Sequence, residues 1–108
     1  MLAQKETHDL RQFKAILKDR FGPEIKSVLL FGSKARGDSH RDSDIDVLVI
    51  TRLENWELKE DIGRIATHIL LDYAVYLSVK VLSNMTYRRL MKLRSPFLKN
   101  VAKEGISL

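Results

Sequence analysis

The sequence predicts an α/β (α+β) fold, in which helices pack on one face of a small mixed sheet of about three strands. Residues 26–31 and 44–51 are apolar runs typical of buried strands, and residues 73–82 alternate between apolar and polar side chains as a third strand does. Apolar residues at spacings of three and four predict helices before, between and after these strands. The predicted order is therefore helix, strand, strand, helix, strand and two helices.

Each predicted helix has a recognisable beginning or end. The first helix stops near Gly22-Pro23, and Asn55 fits the N-cap of the second long helix. A third helix follows Ser83-Asn84, and a last short one opens at Ser95-Pro96 and closes at Gly105. The apolar face of the first helix consists of Leu10, Phe13, Ile16, Leu17 and Phe21.

Length and composition limit the class of protein. The chain has 108 residues, 44% hydrophobic and 31% charged, which is typical of a globular domain and sufficient for a single one over residues 1–108. No apolar stretch approaches the length of a membrane span and the first residues lack the apolar core of a secretory signal, so we expect a cytoplasmic protein. The lack of cysteine excludes disulfides, thiolate zinc sites and a cysteine nucleophile.

Two acidic residues open the second predicted strand. Asp44 and Asp46 are two residues apart, so in an extended strand both side chains project from one face, opposite Ile45, Val47 and Val49. Such a pair can share divalent cations, and a hard cation such as Mg²⁺ prefers oxygen ligands. A lone pair of this kind is more often a solvated strand end, so a site needs a second feature.

The second feature is Gly32-Ser33, which ends the first strand and precedes Asp44 by a gap of ten residues. Glycine lets the backbone approach a ligand closely, the serine caps or donates, and free N–H groups at a helix start attract phosphate. Arg36 lies one turn further, where its guanidinium could bind phosphate oxygens, although a salt bridge to Asp38 or Asp42 explains it equally well. The combination predicts a phosphate cradle beside metal-binding carboxylates, and hence chemistry on a nucleoside triphosphate.

These residues resemble those of a known family. Gly32-Ser33, Ala35-Arg36-Gly37 and the run 43–50 are similar to the motif of the polymerase-β-type nucleotidyltransferase superfamily. The small size resembles its minimal nucleotidyltransferase (MNT) branch, whose members are often encoded beside a helical HEPN-domain protein. The resemblance therefore also implies a polymerase-β-like nucleotidyltransferase fold.

The resemblance assigns roles to individual residues. Gly32 and Ser33 would hold the triphosphate, with Arg36 as a further nucleotide-binding candidate, while Asp44 and Asp46 would hold Mg²⁺, for which we expect two ions. ATP would be the substrate, a protein hydroxyl would accept the nucleoside monophosphate, and the protein would be the antitoxin of a HEPN-type toxin. The alternative is a non-catalytic binding module that neutralises or scaffolds a HEPN-like partner and retains a vestigial nucleotide site.

The predicted third strand departs from the family pattern. Members carry a third carboxylate on a neighbouring strand, whereas here Tyr76, Ser78 and Lys80 occupy the face that should look toward the aspartate pair. The nearest acid, Asp72, precedes the strand. A general base within reach of an acceptor hydroxyl is therefore not visible, and Lys80 could instead replace the charge of one metal ion.

The positive charge is concentrated toward the end of the chain. The net charge is +5, and from Leu77 onward there are seven basic residues and one acid, Glu104. Such a region could face RNA, an acidic partner protein or the nucleotide, but the core spacing of its apolar residues favours a solvated helix surface over a nucleic-acid site. A protein partner is the primary expectation, and a homo-oligomer stays open. The basic residues are Lys80, Arg88, Arg89, Lys92, Arg94, Lys99 and Lys103.

Overall fold

A computed structural model of the protein describes residues 4–32 and 44–108, apart from the side chain of Glu104. Helices and strands in these ranges follow the predicted order, with one short strand added at the end. No helix among these residues is both long enough and apolar enough to cross a membrane. The elements are α1 (Gln4–Phe21), β1 (Ile25–Phe31), β2 (Ile45–Thr51), α2 (Trp56–Tyr73), β3 (Leu77–Ser83), α3 (Asn84–Lys92), α4 (Pro96–Glu104) and β4 (Ile106–Ser107).

The strands form one mixed sheet in the order β3-β2-β1-β4. β2 runs antiparallel to β1 and parallel to β3, and α2 makes the crossover between the parallel pair. The α/β class is thus confirmed, with four strands in the described part of the chain in place of about three. The additional strand, β4, pairs Ile106 with Leu30 and is only two residues long, too short to produce a periodic pattern in the sequence.

One face of the sheet packs against α1 and α2. Ile45, Val47 and Val49 of β2 are almost completely buried there, as their alternation predicts. The helices contribute large apolar residues, including Phe13 of α1 and Ile62 of α2, to the same core cluster. This packing directs the odd-numbered residues of β2 inward and the even-numbered ones to the opposite face.

The opposite face is also covered by helices over part of its area. Leu48 and Ile50 of β2 are buried against Leu98 and Val101 of α4, and residues of α3 pack around them. The expectation of helices on only one face is therefore wrong, because the apolar stripes of α3 and α4 bury themselves on the second face. Asp46 projects from the same face two residues before Leu48, but it lies outside this cluster and remains partly exposed.

Most predicted helix ends agree with the structure. The Asn55 side chain accepts a hydrogen bond from the Leu58 N–H (3.1 Å), as an N-cap residue does. Ser95 occupies the cap position of α4, but its hydroxyl makes no capping hydrogen bond. The third strand begins at Leu77, later than predicted, because α2 continues through Tyr73 and ends at Ala74 in the left-handed conformation (φ 57°).

Candidate active site

The two aspartates lie where β2 begins. Asp44 immediately precedes the strand and is exposed, whereas Asp46 is within it and partly exposed. Asp46 is the register partner of Phe31 on β1 and of Ser78 on β3, so all three side chains project from the same face. The Asp46 carboxylate therefore lies at the centre of the area that α3 and α4 leave uncovered on the second face of the sheet.

Gly32 places backbone directly against this carboxylate. Its φ of +76° is a conformation that residues with a Cβ rarely adopt. A Cβ built at this position would overlap the Asp46 side chain, with Cγ only 3.0 Å and Cβ only 3.2 Å away. Glycine is thus required at position 32 both by the backbone conformation and by the space that the Asp46 side chain occupies.

Two aromatic rings form an apolar wall beside Asp46. Phe31 packs edge-on against Phe97 of α4, with ring centroids 5.3 Å apart and an interplanar angle of 86°. No motif in the sequence marks this pair as part of the site. Phe31 was recognisable as the strand residue before the glycine, but the part played by Phe97 depends on how α4 packs and leaves no local pattern.

On the β3 side of Asp46 the predicted register is present. Ser78 lies directly opposite Asp46, and Lys80 lies opposite Leu48, so Lys80 is diagonal to the carboxylate on the same face. Neighbouring strands lie about 4.8 Å apart and rise about 3.3 Å per residue, so residues two positions out of register are roughly 8 Å apart, which a lysine side chain can span. Lys80 is exposed, and within residues 4–32 and 44–108 no group of three or more acidic, histidine or cysteine residues gathers to hold a metal ion.

Tyr76, the residue before β3, contacts β2 through its main chain. The Ile45 N–H donates a hydrogen bond to the Tyr76 carbonyl oxygen (3.0 Å), which aligns the start of β3 with the aspartates. The Tyr76 ring itself is 55% exposed.

The remaining predicted site residues, Ser33 and Arg36, lie outside the described residues, so their roles stay predictions.

The chemistry of the described donors fits a magnesium ion. Asp44 and Asp46 are oxygen donors separated by one buried residue, and the missing side chain of Gly32 leaves room for the Asp46 carboxylate. Mg²⁺ typically takes only one or two protein carboxylates and completes its octahedron with water and phosphate oxygens. A set of two aspartates is therefore sufficient for such a site in principle.

Comparison with known proteins places the chain in a family. A nucleotidyltransferase domain model matches residues 10–105. A protein of Methanocaldococcus jannaschii named "putative protein adenylyltransferase" is 32% identical over 100 residues, which are 93% of this chain and 94% of the relative. The chain belongs to the nucleotidyltransferase domain family and is a nucleotidyltransferase by class.

Solved structures narrow the fold to the minimal branch of that family. A minimal nucleotidyltransferase, described as putative, superposes with a TM-score of 0.60 at 27% identity, over 98% of this chain and 97% of the other. A complex of a tri-AMPylated HEPN toxin of Shewanella oneidensis with an MNT antitoxin contains a chain matching at a TM-score of 0.53 and 17% identity, over 94% of this chain and 69% of that one. The second likeness concerns the fold alone.

Proposed function

We propose that this protein transfers adenosine monophosphate from ATP to a hydroxyl group of a partner protein, and that the partner is a HEPN-domain toxin for which it is the antitoxin. The observation that carries the proposal is the close approach of the Gly32 backbone to the Asp46 side chain, at the start of the strand that carries the carboxylates. The relative named for adenylyl transfer to protein, and the fold neighbour that combines an AMPylated HEPN toxin with an MNT antitoxin, support the choice of substrate and partner.

The proposed reaction exchanges one bond to phosphorus for another. The acceptor oxygen bonds to the α-phosphorus of ATP, the bond from that phosphorus to the bridging oxygen breaks, and pyrophosphate leaves. Asp44 and Asp46 would hold Mg²⁺, which when bound supplies positive charge to the phosphates. Gly32 would admit the triphosphate close to the backbone, while Ser33 and Arg36 are its proposed side-chain contacts.

Among residues 4–32 and 44–108, this face presents no base for the acceptor hydroxyl besides the two aspartates proposed to hold the metal. Ser78 and Lys80 occupy the neighbouring positions of β3, and Lys80 carries positive charge toward the site. We infer that the proton leaves to solvent or to a group of the partner protein. Lys80 would bind phosphate oxygens and partly replace a metal ion as the source of positive charge.

Label transfer tests the enzymatic proposal. The protein is incubated with Mg²⁺, α-phosphate-labelled ATP and the protein encoded beside it, and label on that partner is measured. We expect labelling, and a loss of about 10²-fold or more in Asp44→Asn with Asp46→Asn. Asp72→Asn, which alters an exposed acid on α2, is the matched control and should leave labelling unchanged. Labelling that persists in the double variant would show that the aspartates are not the site.

A second candidate function is silencing by contact alone, without group transfer. The observation that favours it is Ser78 and Lys80 at positions of β3 where a third carboxylate would be near Asp46. The discriminating experiment measures both binding to the partner and suppression of its toxicity by Asp44→Asn with Asp46→Asn. If the variant binds and suppresses as the wild type does, contact is sufficient; if it binds but does not suppress, this candidate is wrong.

A further inference from the structure

A cavity of about 930 Å³ lies at the opposite end of β2 from Asp46, between the β2–α2 connection and the first turns of α3. Thr51, after which the cavity begins, lies five positions along the extended strand from Asp46, a distance of about 17 Å. The cavity is therefore distinct from the nucleotide site. It is lined by residues of both charge signs and by apolar side chains.

Three large apolar side chains at this end of the molecule are exposed. Leu53 and Met85 line the cavity and are 55% and 70% exposed. Trp56, at the first turn of α2, is 69% exposed. Exposed large apolar side chains grouped in this way indicate a contact with another molecule.

The charged part of this surface has two sides. Glu54 lines the cavity and Glu57 follows at the start of α2, whereas Arg88, Arg89 and Lys92 line the cavity from α3. Within the described ranges these five side chains form no ion pair with the rest of the chain. Their charges are consequently available to a second molecule.

Arg52 differs from the other basic residues of the cavity. Its guanidinium pairs with the Glu24 carboxylate, at 2.9 Å from Nη2 and 3.2 Å from Nε to the same oxygen. Because Arg52 and Glu24 neutralise each other within the chain, the acidic side of the surface consists of Glu54 and Glu57. We call the residues Leu53, Glu54, Trp56, Glu57, Met85, Arg88, Arg89 and Lys92 the self-complementary surface.

We propose that two copies of this chain associate through the self-complementary surface about a two-fold axis. In such an interface the acidic side of each copy faces the basic side of the other, and the apolar side chains meet at the centre. An acidic protein or a nucleic acid would be attracted by Arg88 and Arg89 but repelled by Glu54 and Glu57. The exposed apolar residue on the basic side is Met85, and methionine gives no aromatic platform for stacking bases.

The arrangement leaves both nucleotide sites accessible. The interface lies about 17 Å along β2 from each Asp46, so neither site is covered by the second copy. Dimer formation is therefore expected to be compatible with the proposed transfer reaction. It also does not depend on that reaction, so the two proposals can fail separately.

Sedimentation velocity over about 5–500 µM protein tests the proposal, because interfaces of modest size give micromolar dissociation constants. We expect a concentration-dependent dimer that weakens about 10-fold or more between about 0.05 M and 0.5 M NaCl. Arg88→Glu with Arg89→Glu, and separately Glu54→Arg with Glu57→Arg, should each be monomeric because like charges then face each other. A melting curve for each variant confirms that it is folded.

The two charge-reversed variants also provide a positive test. One has acidic residues on both sides of the surface and the other has basic residues on both sides, so an equimolar mixture should form a heterodimer at least as strong as the wild-type dimer. Arg11→Glu with Arg20→Glu, two exposed residues of α1, carries the same charge change as the first variant and should still dimerise. Association in the mixture, when each variant alone is monomeric, indicates that the reversed surfaces face each other.

Three results would overturn the proposal. The first is a wild type that stays monomeric over the whole concentration range, and the second is an Arg88→Glu, Arg89→Glu variant that dimerises normally. The third is a mixture of the reversed variants that remains monomeric. If the wild type is monomeric but binds a 20-residue oligouridylate, and loses that binding in Arg88→Glu with Arg89→Glu, the surface is a nucleic-acid site instead.

Discussion

The carboxylate of Asp46 fills the position that a side chain on Gly32 would occupy. Phe31 and Asp46 are register partners, and Gly32, the residue after Phe31, has a φ of +76° that ends the extended conformation of β1. One residue therefore sets both the end of β1 and the space available to the carboxylate. The geometry of the site is encoded in the backbone as well as in its acidic side chains.

Gly32→Ala should damage both stability and activity. The added methyl group meets the Asp46 carboxylate in a backbone conformation that alanine rarely adopts, which costs about 1–3 kcal/mol. We expect a lower urea midpoint and a larger relative loss of label transfer, because Asp46 must move. Equilibrium unfolding and label transfer on the same preparation measure the two effects.

Gly63→Ala is the matched control for that substitution. Gly63 lies within α2, and a Cβ there has no neighbour within 4 Å. Alanine is favoured over glycine inside a helix by about 0.5–1 kcal/mol, so this variant should be slightly more stable and fully active. Equal destabilisation of the two variants would contradict the assigned contact at Gly32.

Binding of Mg²⁺ and ATP should stabilise the folded protein. A ligand that binds only the folded state adds about 2.7 kcal/mol when its concentration is about 100-fold above its dissociation constant. We expect the increase in Tm with Mg-ATP to exceed that with either component alone and to disappear in Asp44→Asn, but not in Asp72→Asn. An unchanged wild-type Tm at millimolar Mg-ATP would contradict a working nucleotide site.

Lys80→Glu should strengthen metal binding. The register places this side chain diagonal to Asp46, so the substitution puts a carboxylate close to the aspartate pair. Isothermal titration calorimetry with Mg²⁺ should show tighter binding in the variant than in the wild type. Lys59→Glu makes the same charge change on α2 and should have little effect; weaker binding in Lys80→Glu would mean that residue 80 does not face the metal.

Phe97→Ala should loosen the wall beside the site. Removing this ring eliminates its edge contact with Phe31 and part of the core under α4, at a cost of about 1–3 kcal/mol. Leu93→Ala, at a position 71% exposed, should lie within about 0.5 kcal/mol of wild type. Chemical denaturation of the two variants side by side makes the comparison, and an equally stable Phe97→Ala would show that the wall is not part of the core.

The sequence predicts this fold well wherever local pattern decides structure. Alternation across β2 identifies Ile45, Val47 and Val49 as core residues, and all three are buried. The same argument gives the shared face of Ser78 and Lys80, because side-chain direction in a strand has a fixed period. The order of the helices and strands follows in the same way from helical and strand spacing.

Long-range packing is what the sequence does not reveal. Whether the apolar stripes of α3 and α4 cover the first or the second sheet face is set by how the chain returns after β3, and no local spacing records it. Phe97 and β4 likewise contact residues that are distant in sequence, so local spacing does not reveal where they pack. At the site, the motif identifies Gly32 and Asp46, but only the pairing of β1 with β2 shows that the Asp46 side chain occupies the space a Cβ at position 32 would need.

The central position of β2 links the carboxylates to the cooperativity of the whole molecule. β2 is hydrogen-bonded to β1 on one side and β3 on the other, and its alternate residues belong to both hydrophobic clusters. No partial opening can release one neighbouring strand without loosening the strand that carries Asp46. The backbone amides of Val47 and Leu48 are therefore expected to exchange hydrogen only by global unfolding, and heat should abolish nucleotide binding and tertiary structure in the same transition.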